Sequence, residues 1–402
     1  MNANSDLIDN FTRARTENAM SRLIGAVKDG LFDTADIRRL ADAMAKSGST
    51  LEFDLDTADL ASTGGPGSLS TLLGPLYLRA YGFLIPKLGV PGRPAGGIDV
   101  MAQLPGYRAR LTYAEVREVI ARCGYAHFLA DDNFAPLDAA LFNYRQAVGA
   151  QNIPSLAIAS LLAKKIACGI RFAGLDVRVA PHGNFGGTFN EARENAKMFC
   201  AAAEAAGIRA LAALTDARAP GQPFIGRGEA LLALKLIIER RADPWLAEHN
   251  DRCRLMATQV ASMGAHKRTP LGKDEIETAF LENIKAQGSS PDAFHAKADA
   301  IASAKRIEML ATRDGFIAID IPAMRSIFVK INAATDDRGE FADELGLILR
   351  AKSGAYVRAG DPIASVRVSE AVWPKIEKHL AQCFLVVDLL DYAPGLEEIV
   401  HA

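Results

Sequence analysis

A glycine-rich segment that carries many hydroxyl groups is the strongest chemical feature of this sequence. Residues 59–71, here called the cradle, contain three glycines and five serine or threonine side chains, and a helix-like apolar run follows from Leu72 to Tyr81. Glycine lets the backbone approach an anion closely, and the start of a helix offers free N–H groups and a positive dipole end. The segment indicates a binding loop for a phosphate or an anionic sugar, or alternatively a turn that only caps the helix.

Two features separate the cradle from better-known phosphate loops and widen the candidate site. No Gly-Lys-Ser/Thr follows the glycines, so the segment is not a P-loop. A second Gly/Pro-rich loop over residues 87–97 contains Arg93, which we expect to face the cradle. The candidate contacts to a phosphate or a sugar are therefore Ser62, Thr63, Gly64, Gly65, Ser70, Thr71 and Arg93.

A second group of candidates lies on two apolar helices predicted over residues 136–148 and 153–167. Ser160 and Lys164 are four residues apart and therefore share one helix face, whereas Lys165 points elsewhere. Arg145 is on the neighbouring helix. The alternative interpretation is that the two lysines are solvated charges that end an apolar helix.

His182 is a further candidate because it directly follows a predicted strand over residues 175–179. Ligands approach parallel sheets at that end of the strands. The alternative is a polar loop histidine without a role. The seven histidines show no metal-ligand spacing, so we expect no metal site and no cofactor.

Strands and helices alternate through the middle of the chain, after helices predicted over residues 5–47. The near-continuous apolar character of residues 172–179 is typical of a strand that is covered on both faces. We therefore expect an α/β fold with a mainly parallel sheet. The other predicted strands are residues 83–86, 125–129 and 210–214, and the other helices are residues 112–122, 188–206 and 228–240.

The composition changes near Asp314, where short strand and turn signals replace the charged helices of residues 243–310. A strand–turn–strand is predicted over residues 356–366, followed by a helix over 371–380 and a strand over 384–389. These signals indicate a compact α+β unit that needs support from the rest of the chain.

Composition excludes several classes of protein. The 402 residues carry a formal net charge of −2 and no basic cluster, which argues against nucleic-acid binding. No uncharged apolar run is long enough to cross a membrane, so we expect no membrane partner. Five cysteines without paired spacing are typical of a reducing cytosol, and we expect a cytoplasmic enzyme.

Four segments, in this order, resemble the thymidine/pyrimidine nucleoside phosphorylase family, with a weaker likeness to AMP phosphorylases. The first is residues 43–48 with the cradle, which is similar to the family's Asp-Lys-His-Ser-Thr-Gly-Gly-x-Gly-Asp loop. The others are residues 96–107, 145–179 and 214–226, of which the middle one is the most specific. The tail from Gly315 to Val366 resembles the family's C-terminal domain, so the likeness covers nearly the whole chain.

The resemblance implies a division of the chain into three domains and a homodimer. A small helical domain would contain residues 1–48 and 136–168, and a large α/β domain residues 49–135 and 169–312. A C-terminal α+β domain, barrel- or hammerhead-like, would contain residues 313–402. The active site is then expected in the cleft between the first two domains.

The resemblance also implies an activity, which is reversible phosphorolysis of a pyrimidine nucleoside. Phosphate attacks C1′ of the (deoxy)ribose and the base leaves, so the expected partners are a nucleoside or base and phosphate or another anion. Arg145, Ser160 and Lys164 would hold the base, with Arg145 and Lys164 as catalytic groups. A cation and a hydroxyl on one face stabilise the negative charge that develops on a departing pyrimidine.

The cradle departs from the family at its chemical centre, because Leu60 and Ala61 stand where the family has Lys-His, and Ser68 where it has an acidic residue. The lysine is the family's phosphate cation. Either Arg93 or, as second choice, Lys87 replaces it, or the anion differs, or phosphorolysis is lost. We therefore expect ordinary phosphorolysis to be slow or absent. The alternatives are a (phospho)ribosyltransferase with another acceptor and an inactive nucleoside-binding paralogue.

Overall fold

The computed structural model describes residues 3–28, 30, 32–90, 96–130, 133–264, 274–336, 341–388 and 398–401. Three helices come first, where the sequence predicted two. A residue with positive φ, Arg15 at 52°, follows the first helix, and Asp33 caps the third by accepting a hydrogen bond from the Asp36 backbone N–H at 2.9 Å. The helices are α1 (Ala3–Ala14), α2 (Glu17–Lys28) and α3 (Thr34–Ala45).

The middle of the chain alternates strands and helices, as the sequence predicts. Thr112 and Thr188 each form a capping box at the start of a helix, with Glu115 and Glu191 as the respective partners. In chain order the elements are β1 (Ala58–Ser62), α4 (Ser70–Ala80), β2 (Ile85–Gly89), α5 (Gly97–Met101), α6 (Tyr113–Cys123), β3 (Tyr125–Leu129), α7 (Pro136–Ala147), α8 (Pro154–Ala167), β4 (Phe172–Val179), α9 (Phe189–Ala205), β5 (Arg209–Asp216), β6 (Phe224–Ile225), α10 (Arg227–Ile238), α11 (Pro244–Ser262), α12 (Glu275–Ala286) and α13 (Pro291–Ser303).

The strands β1 to β5 are parallel and lie side by side in the order β3-β2-β1-β4-β5. The chain adds β2 and β3 on one side of β1, and β4 and β5 on the other. The order therefore reverses at β1. Ligands of open α/β sheets bind at such a switch point, beyond the carboxyl ends of the strands.

The contact between β1 and β2 is short. One bridge joins Thr57 to Leu84, and the Ala58 N–H donates to the Leu84 carbonyl at 3.0 Å, but the two strands do not pair beyond that point. The side chain of Lys87 extends toward β1 there and donates to the Leu60 carbonyl at 2.8 Å. The sheet is thus opened at the carboxyl ends of β1 and β2.

Two apolar layers cover this sheet. One contains α1 to α3 and α7 to α9 and buries side chains such as Leu40, Leu162 and Phe199. The other contains α4 and α10 to α13, with Leu73, Leu231 and Phe280 among its buried members. The near-continuous burial of β4 follows from these two layers, as its apolar sequence predicts.

The C-terminal part contains two small antiparallel sheets and two helices. The predicted strand–turn–strand over residues 356–366 is present, but its two strands belong to different sheets, with orders β10-β8-β12 and β6-β9-β11-β7. The elements are β7 (Ile307–Leu310), β8 (Gly315–Ile319), α14 (Ile321–Asp336), β9 (Leu345–Leu349), β10 (Tyr356–Val357), β11 (Pro362–Val368), α15 (Trp373–Gln382), β12 (Phe384–Val387) and β13 (Glu398–His401).

Strand pairing crosses the predicted domain boundary at residue 313 in both directions. β6 and β7, which precede it, pair within the C-terminal sheets, whereas β13 pairs antiparallel with β5 of the central sheet. The predicted fold class, α/β with a mainly parallel sheet and an α+β C-terminal part, is confirmed. No helix in the described ranges is long and apolar enough to cross a membrane.

Candidate active site

A cavity of about 420 Å³ opens at the carboxyl ends of β1, β2 and β4, where the strand order reverses. Helices α7 and α8 form its opposite wall, so it lies where the resemblance implied a cleft. Arg93 lies outside the described residues. The other candidates predicted from the sequence all line this cavity: Arg145, Ser160, Lys164, Ser62, Thr63, Gly64, Gly65, Ser70, Thr71 and His182.

The cradle is a sharp turn from β1 into α4 that requires its glycines. Gly64, Gly65 and Gly67 have φ values of 96°, 110° and 84°, which side chains with a Cβ rarely adopt. A Cβ at Gly67 would also lie 2.8 Å from the Pro220 Cα. The Leu69 N–H, at the start of α4, donates to His249 Nε2 at 2.8 Å.

The hydroxyl groups of the cradle are bonded within the protein. The Ser70 hydroxyl donates to Asp176 Oδ2 at 2.7 Å, and those of Ser68 and Ser62 lie 3.3 and 3.4 Å from the same oxygen. Thr215 donates to the other carboxylate oxygen at 2.6 Å. Asp176, buried at the end of β4, therefore anchors the cradle to the sheet.

The two threonines of the cradle accept backbone hydrogen bonds. Thr63 Oγ1 accepts from the Arg178 N–H at 2.9 Å, and Thr71 Oγ1 accepts from the Gly97 N–H at 3.2 Å. The second bond ties the cradle to the second Gly/Pro-rich loop. Contact of these hydroxyls with an anion remains a prediction.

Two lysines converge on one carboxylate beneath the cavity. Lys87 Nζ lies 2.6 Å from Asp59 Oδ1, and Lys165 Nζ lies 2.6 Å from Asp59 Oδ2. Burial alone would raise the pKa of Asp59, but the two ammonium groups outweigh it and hold that pKa well below its ordinary value. Burial lowers the pKa of Lys87, and Asp59 opposes this shift.

With all three groups ionised, this cluster carries one excess positive charge beside the cavity. Lys165 does point away from Lys164, as predicted, but it also lines the cavity. Sequence reasoning missed its role because its partner Asp59 is 106 positions away. Lys87 was predicted only as a second choice.

The wall formed by α7 and α8 combines a hydroxyl with two cations. Lys164 Nζ donates to Ser160 Oγ at 2.9 Å, as their spacing on one helix face predicts, and it forms an ion pair with Asp138 of α7. Arg145 donates to the carbonyls of Ala150 at 3.0 Å and Gln151 at 2.7 Å. The sequence analysis did not consider Asp138, which neutralises part of the charge expected at Lys164.

Another corner of the cavity lies at the carboxyl end of β4 and contains Arg178, His182, Asn184 and Arg325. Asn184 Nδ2 donates to the Thr63 carbonyl at 3.2 Å. Partial burial lowers the pKa of His182; Asp320 opposes this shift, while Arg325 and Arg178 add to it. The His182 ring is therefore neutral near pH 7.

A buried histidine that sequence reasoning missed, His127 on β3, also lines the cavity. Its Nδ1 lies 3.0 Å from the Tyr125 hydroxyl, and a Cβ at Gly97 would lie 2.6 Å from its ring. Burial, and then Lys87, lower its pKa well below the ordinary value, so the ring is neutral. Among the described residues no group of three His, Cys, Asp or Glu could hold a metal ion.

Comparison with characterised proteins gives two kinds of relative, although no family model matches the chain. Thymidine phosphorylase of Mycobacterium tuberculosis is 30% identical over 280 residues, which are 68% of this chain and 65% of that protein. Pyrimidine-nucleoside phosphorylase of Geobacillus stearothermophilus is 25% identical over 379 residues, which are 90% of this chain and 86% of that protein. The chain thus spans slightly less than two thirds of the mycobacterial relative.

These relatives agree with the resemblance to the thymidine/pyrimidine nucleoside phosphorylase family that the sequence motifs indicate. Among solved structures, anthranilate phosphoribosyltransferase from Thermus thermophilus is similar with a TM-score of 0.48 and 16% identity, covering 75% of this chain and 100% of that one.

The departure from the family motif has a clear structural form. Leu60, at the position of the family's lysine, is fully buried in the apolar layer and packs against α4, where a Cβ at Gly74 would lie 3.0 Å from it. Ala61 lines the cavity. The ammonium group of Lys87, on β2, donates to the backbone carbonyl of Leu60. It therefore lies beside the β1 residue that stands where the family has its lysine.

Proposed function

We propose that this protein is a pentosyltransferase that moves a ribosyl or deoxyribosyl group between a pyrimidine-like base and an anion. Similarity to the two phosphorylases supports the reaction class, and polar groups line the cavity between the sheet and α7–α8. Inorganic phosphate is the simplest anion, and the displacement needs no other cofactor. A small-molecule nucleoside is the second substrate, and the homodimer implied by the resemblance stays a prediction.

The observation that carries this proposal is the net positive charge of the Lys87–Asp59–Lys165 cluster. One carboxylate is shared by two lysines, so an anion in the cavity would meet an excess positive charge. The glycine-rich turn, with positive φ at Gly64, Gly65 and Gly67, lets the backbone approach the anion closely. Lys87 would then take the role of the family's lysine, and Arg93 stays a second candidate for the same role.

The base would bind at α7 and α8. Arg145 and Lys164 would together stabilise the departing base, although the ion pair with Asp138 offsets part of the charge of Lys164. The Ser160 hydroxyl accepts from Lys164 and retains its own O–H to donate to a ring oxygen.

The reaction would be a displacement through an oxocarbenium-like state. The C1′–N bond breaks and its electron pair moves onto the base, where Arg145 and Lys164 stabilise the negative charge. A new C1′–O bond forms from the anion that Lys87 and the cradle hold. Positioning both partners across one cavity makes the step effectively unimolecular.

A second candidate function is a (phospho)ribosyltransferase that uses another acceptor. The replacement of the family's Lys-His pair by Leu60 and Ala61 favours it, because the family's phosphate cation and the histidine beside the nucleoside are both absent from the cradle. An inactive paralogue that binds nucleosides is the remaining alternative.

The test is release of free base from uridine, thymidine and deoxyuridine, with and without phosphate. We expect phosphate-dependent release at a rate below the ordinary range of about 1–1000 per second. Lys87→Met should lower kcat/KM for phosphate at least about tenfold, because a charge-assisted hydrogen bond is lost. Arg145→Met should mainly lower kcat.

Lys197→Met is the matched control, because it removes an exposed lysine that pairs with Glu194 on the surface of α9. Its kinetics should equal those of the wild type. Base release that ignores phosphate would contradict the proposal in favour of another acceptor. Calorimetric binding of nucleosides without any release would favour the inactive paralogue.

A further inference from the structure

Arg178 is a buried cation for which the described part of the chain supplies no acidic partner. Its side chain lines the cavity and the residue is only 6% exposed. Its Nε atom donates no hydrogen bond to the described residues, and Nη1 makes only a 3.5 Å contact with Thr215 Oγ1. A guanidinium remains protonated at any working pH, and burying an unpaired charge is costly. Such a group calls for an anion from the ligand.

The acidic residue nearest along the strand does not fill this role. Asp176 lies two positions earlier on β4, but its oxygens accept from Ser70 and Thr215 hydroxyls at 2.7 and 2.6 Å. It forms no ion pair with Arg178 within the described ranges. The positive charge of Arg178 therefore stays directed at the cavity.

Asn184 adds a neutral acceptor to the same corner. Its Nδ2 group donates to the Thr63 carbonyl, which fixes the orientation of the amide. Its Oδ1 atom is buried and accepts nothing from the described residues. Asn184 Oδ1 can only accept a hydrogen bond, so the oxygens of an ionised phosphate could not bind it. A sugar hydroxyl, in contrast, could donate a hydrogen bond to it. The corner thus combines an anion partner with a hydroxyl partner.

This corner is separate from the Lys87 cluster. β2 and β4 lie on opposite sides of β1, so at a strand spacing of about 4.8 Å their backbones are about 10 Å apart. The cradle glycines lie between them. Arg178 and Lys87 therefore line the cavity from strands on opposite sides of β1, and Arg325 also lines it near Arg178, where Asp320 partly offsets the positive charge.

We propose that the corner formed by Arg178 and Asn184 binds a phosphate ester on the sugar, so that the substrate is a nucleoside 5′-monophosphate and not an unphosphorylated nucleoside. Arg178 holds the ester oxygens, and Asn184 accepts a hydrogen bond from a sugar hydroxyl. This inference rests on the proposed function, because it requires a pentosyl group in the cavity.

The test is calorimetric binding of uridine against uridine 5′-monophosphate, and of thymidine against thymidine 5′-monophosphate, to the full chain. The wild type should bind each nucleotide at least about tenfold more tightly than its nucleoside, the effect of a charge-assisted hydrogen bond. In Arg178→Met, of similar length but uncharged, this ratio should fall to near one. Arg178→Lys should retain part of it.

Three outcomes would overturn the inference. Equal binding of nucleotide and nucleoside by the wild type would do so without any variant. So would an unchanged ratio in Arg178→Met. A loss of inorganic phosphate affinity in Arg178→Met as large as in Lys87→Met would mean that both residues serve one anion.

Two further measurements keep the test independent of folding and of catalysis. If Arg178→Met does not fold, Asn184→Asp serves instead, because a carboxylate in the corner should abolish the preference for nucleotides. The binding ratio needs no turnover. A lack of base release would therefore count against the proposed function, while the ratio would still decide the role of Arg178.

Discussion

Two buried ion clusters among the described residues differ in charge and in surroundings. The first is the Lys87–Asp59–Lys165 cluster, which borders the cavity. The second joins Glu229 of α10 to Arg306, Asp343 and Arg367 of the C-terminal part. Arg367 lies 2.7 Å from Glu229 Oε2 and 2.9 Å from Asp343 Oδ2, and Arg306 lies 2.9 Å from Glu229 Oε1.

The second cluster is balanced and closed. Two carboxylates meet two guanidinium groups, Glu229 is 0% exposed, and a Cβ at Gly346 would lie 1.7 Å from its carboxylate. Burial alone would lower the pKa of Arg367, but Glu229 and Asp343 outweigh it and raise that pKa above its ordinary value. No cavity-lining residue belongs to this cluster.

The difference separates ion pairs that hold the fold from those that prepare a site. A balanced cluster neutralises its own charges, so its loss should appear in stability. A cluster with an excess charge next to a cavity is satisfied further when an anion binds, so its loss should appear in affinity. Four predictions test this distinction, from the largest expected effect to the smallest.

Glu229→Ala should destabilise the protein by about 3–5 kcal/mol, because it leaves two buried arginines with one carboxylate. Urea denaturation followed by circular dichroism measures this. Glu118→Ala, which removes an exposed carboxylate paired with Arg122, is the control. A loss below about 1 kcal/mol would show that the closed cluster does not hold the C-terminal part to the body.

Asp59→Asn should mainly lower stability, whereas Lys87→Met should mainly lower phosphate affinity. Asp59→Asn leaves two buried lysines without a carboxylate and should cost about 3 kcal/mol of stability. Lys87→Met leaves one balanced pair, so stability should change by less than about 1 kcal/mol while phosphate affinity falls. Denaturation measures the stability of both variants, and calorimetry measures their affinity for phosphate. A large stability loss in Lys87→Met would make this cluster structural like the other.

Acid sensitivity should come from the cavity side, where His249 supports the cradle. Burial, followed by Arg178, lowers the pKa of His249 to about 3, against about 6.5 in the unfolded chain. The unfolded state binds more protons between these values, so stability is full above about pH 6.5 and is lost as the pH falls toward about 3.

The slope from this group should approach about 1.4 kcal/mol per pH unit and should be absent in His249→Gln. Denaturation midpoints at several pH values between about 3 and 7 measure it. Glu118 is an exposed residue paired with Arg122 and belongs to neither cluster, so the Glu118→Ala control should keep the wild-type slope. An equal slope in His249→Gln would assign the acid sensitivity to other groups.

Arg122→Ala should have the smallest effect, because both members of its pair with Glu118 are more than half exposed. Such pairs contribute about 0.2–1 kcal/mol, and about 0.5 M salt should remove the difference from the wild type. Denaturation at low and high salt measures this. A larger, salt-independent loss would mean that charge removal on the surface also perturbs the fold.

Much of the site was predictable because it is local in sequence. A glycine-rich turn between a short strand and a helix requires positive φ at Gly64, Gly65 and Gly67, and their residue type already indicates it. Ser160 and Lys164 meet because they are four residues apart on one helix. Residue types at Thr112 and Thr188 predict the helix starts for the same reason.

The sequence by itself therefore determined the alternation of strands and helices, the cradle and the polar face of α8, since each depends on contacts within a few residues. Only the tertiary structure decided which charges meet. Lys87 and Lys165 share Asp59, from 28 and 106 positions away, because β2, β1 and α8 converge at the switch point. The partner of Lys164, the isolation of Arg178 and the return of β13 to the central sheet likewise depend on the order of strands and on burial, which no local pattern encodes.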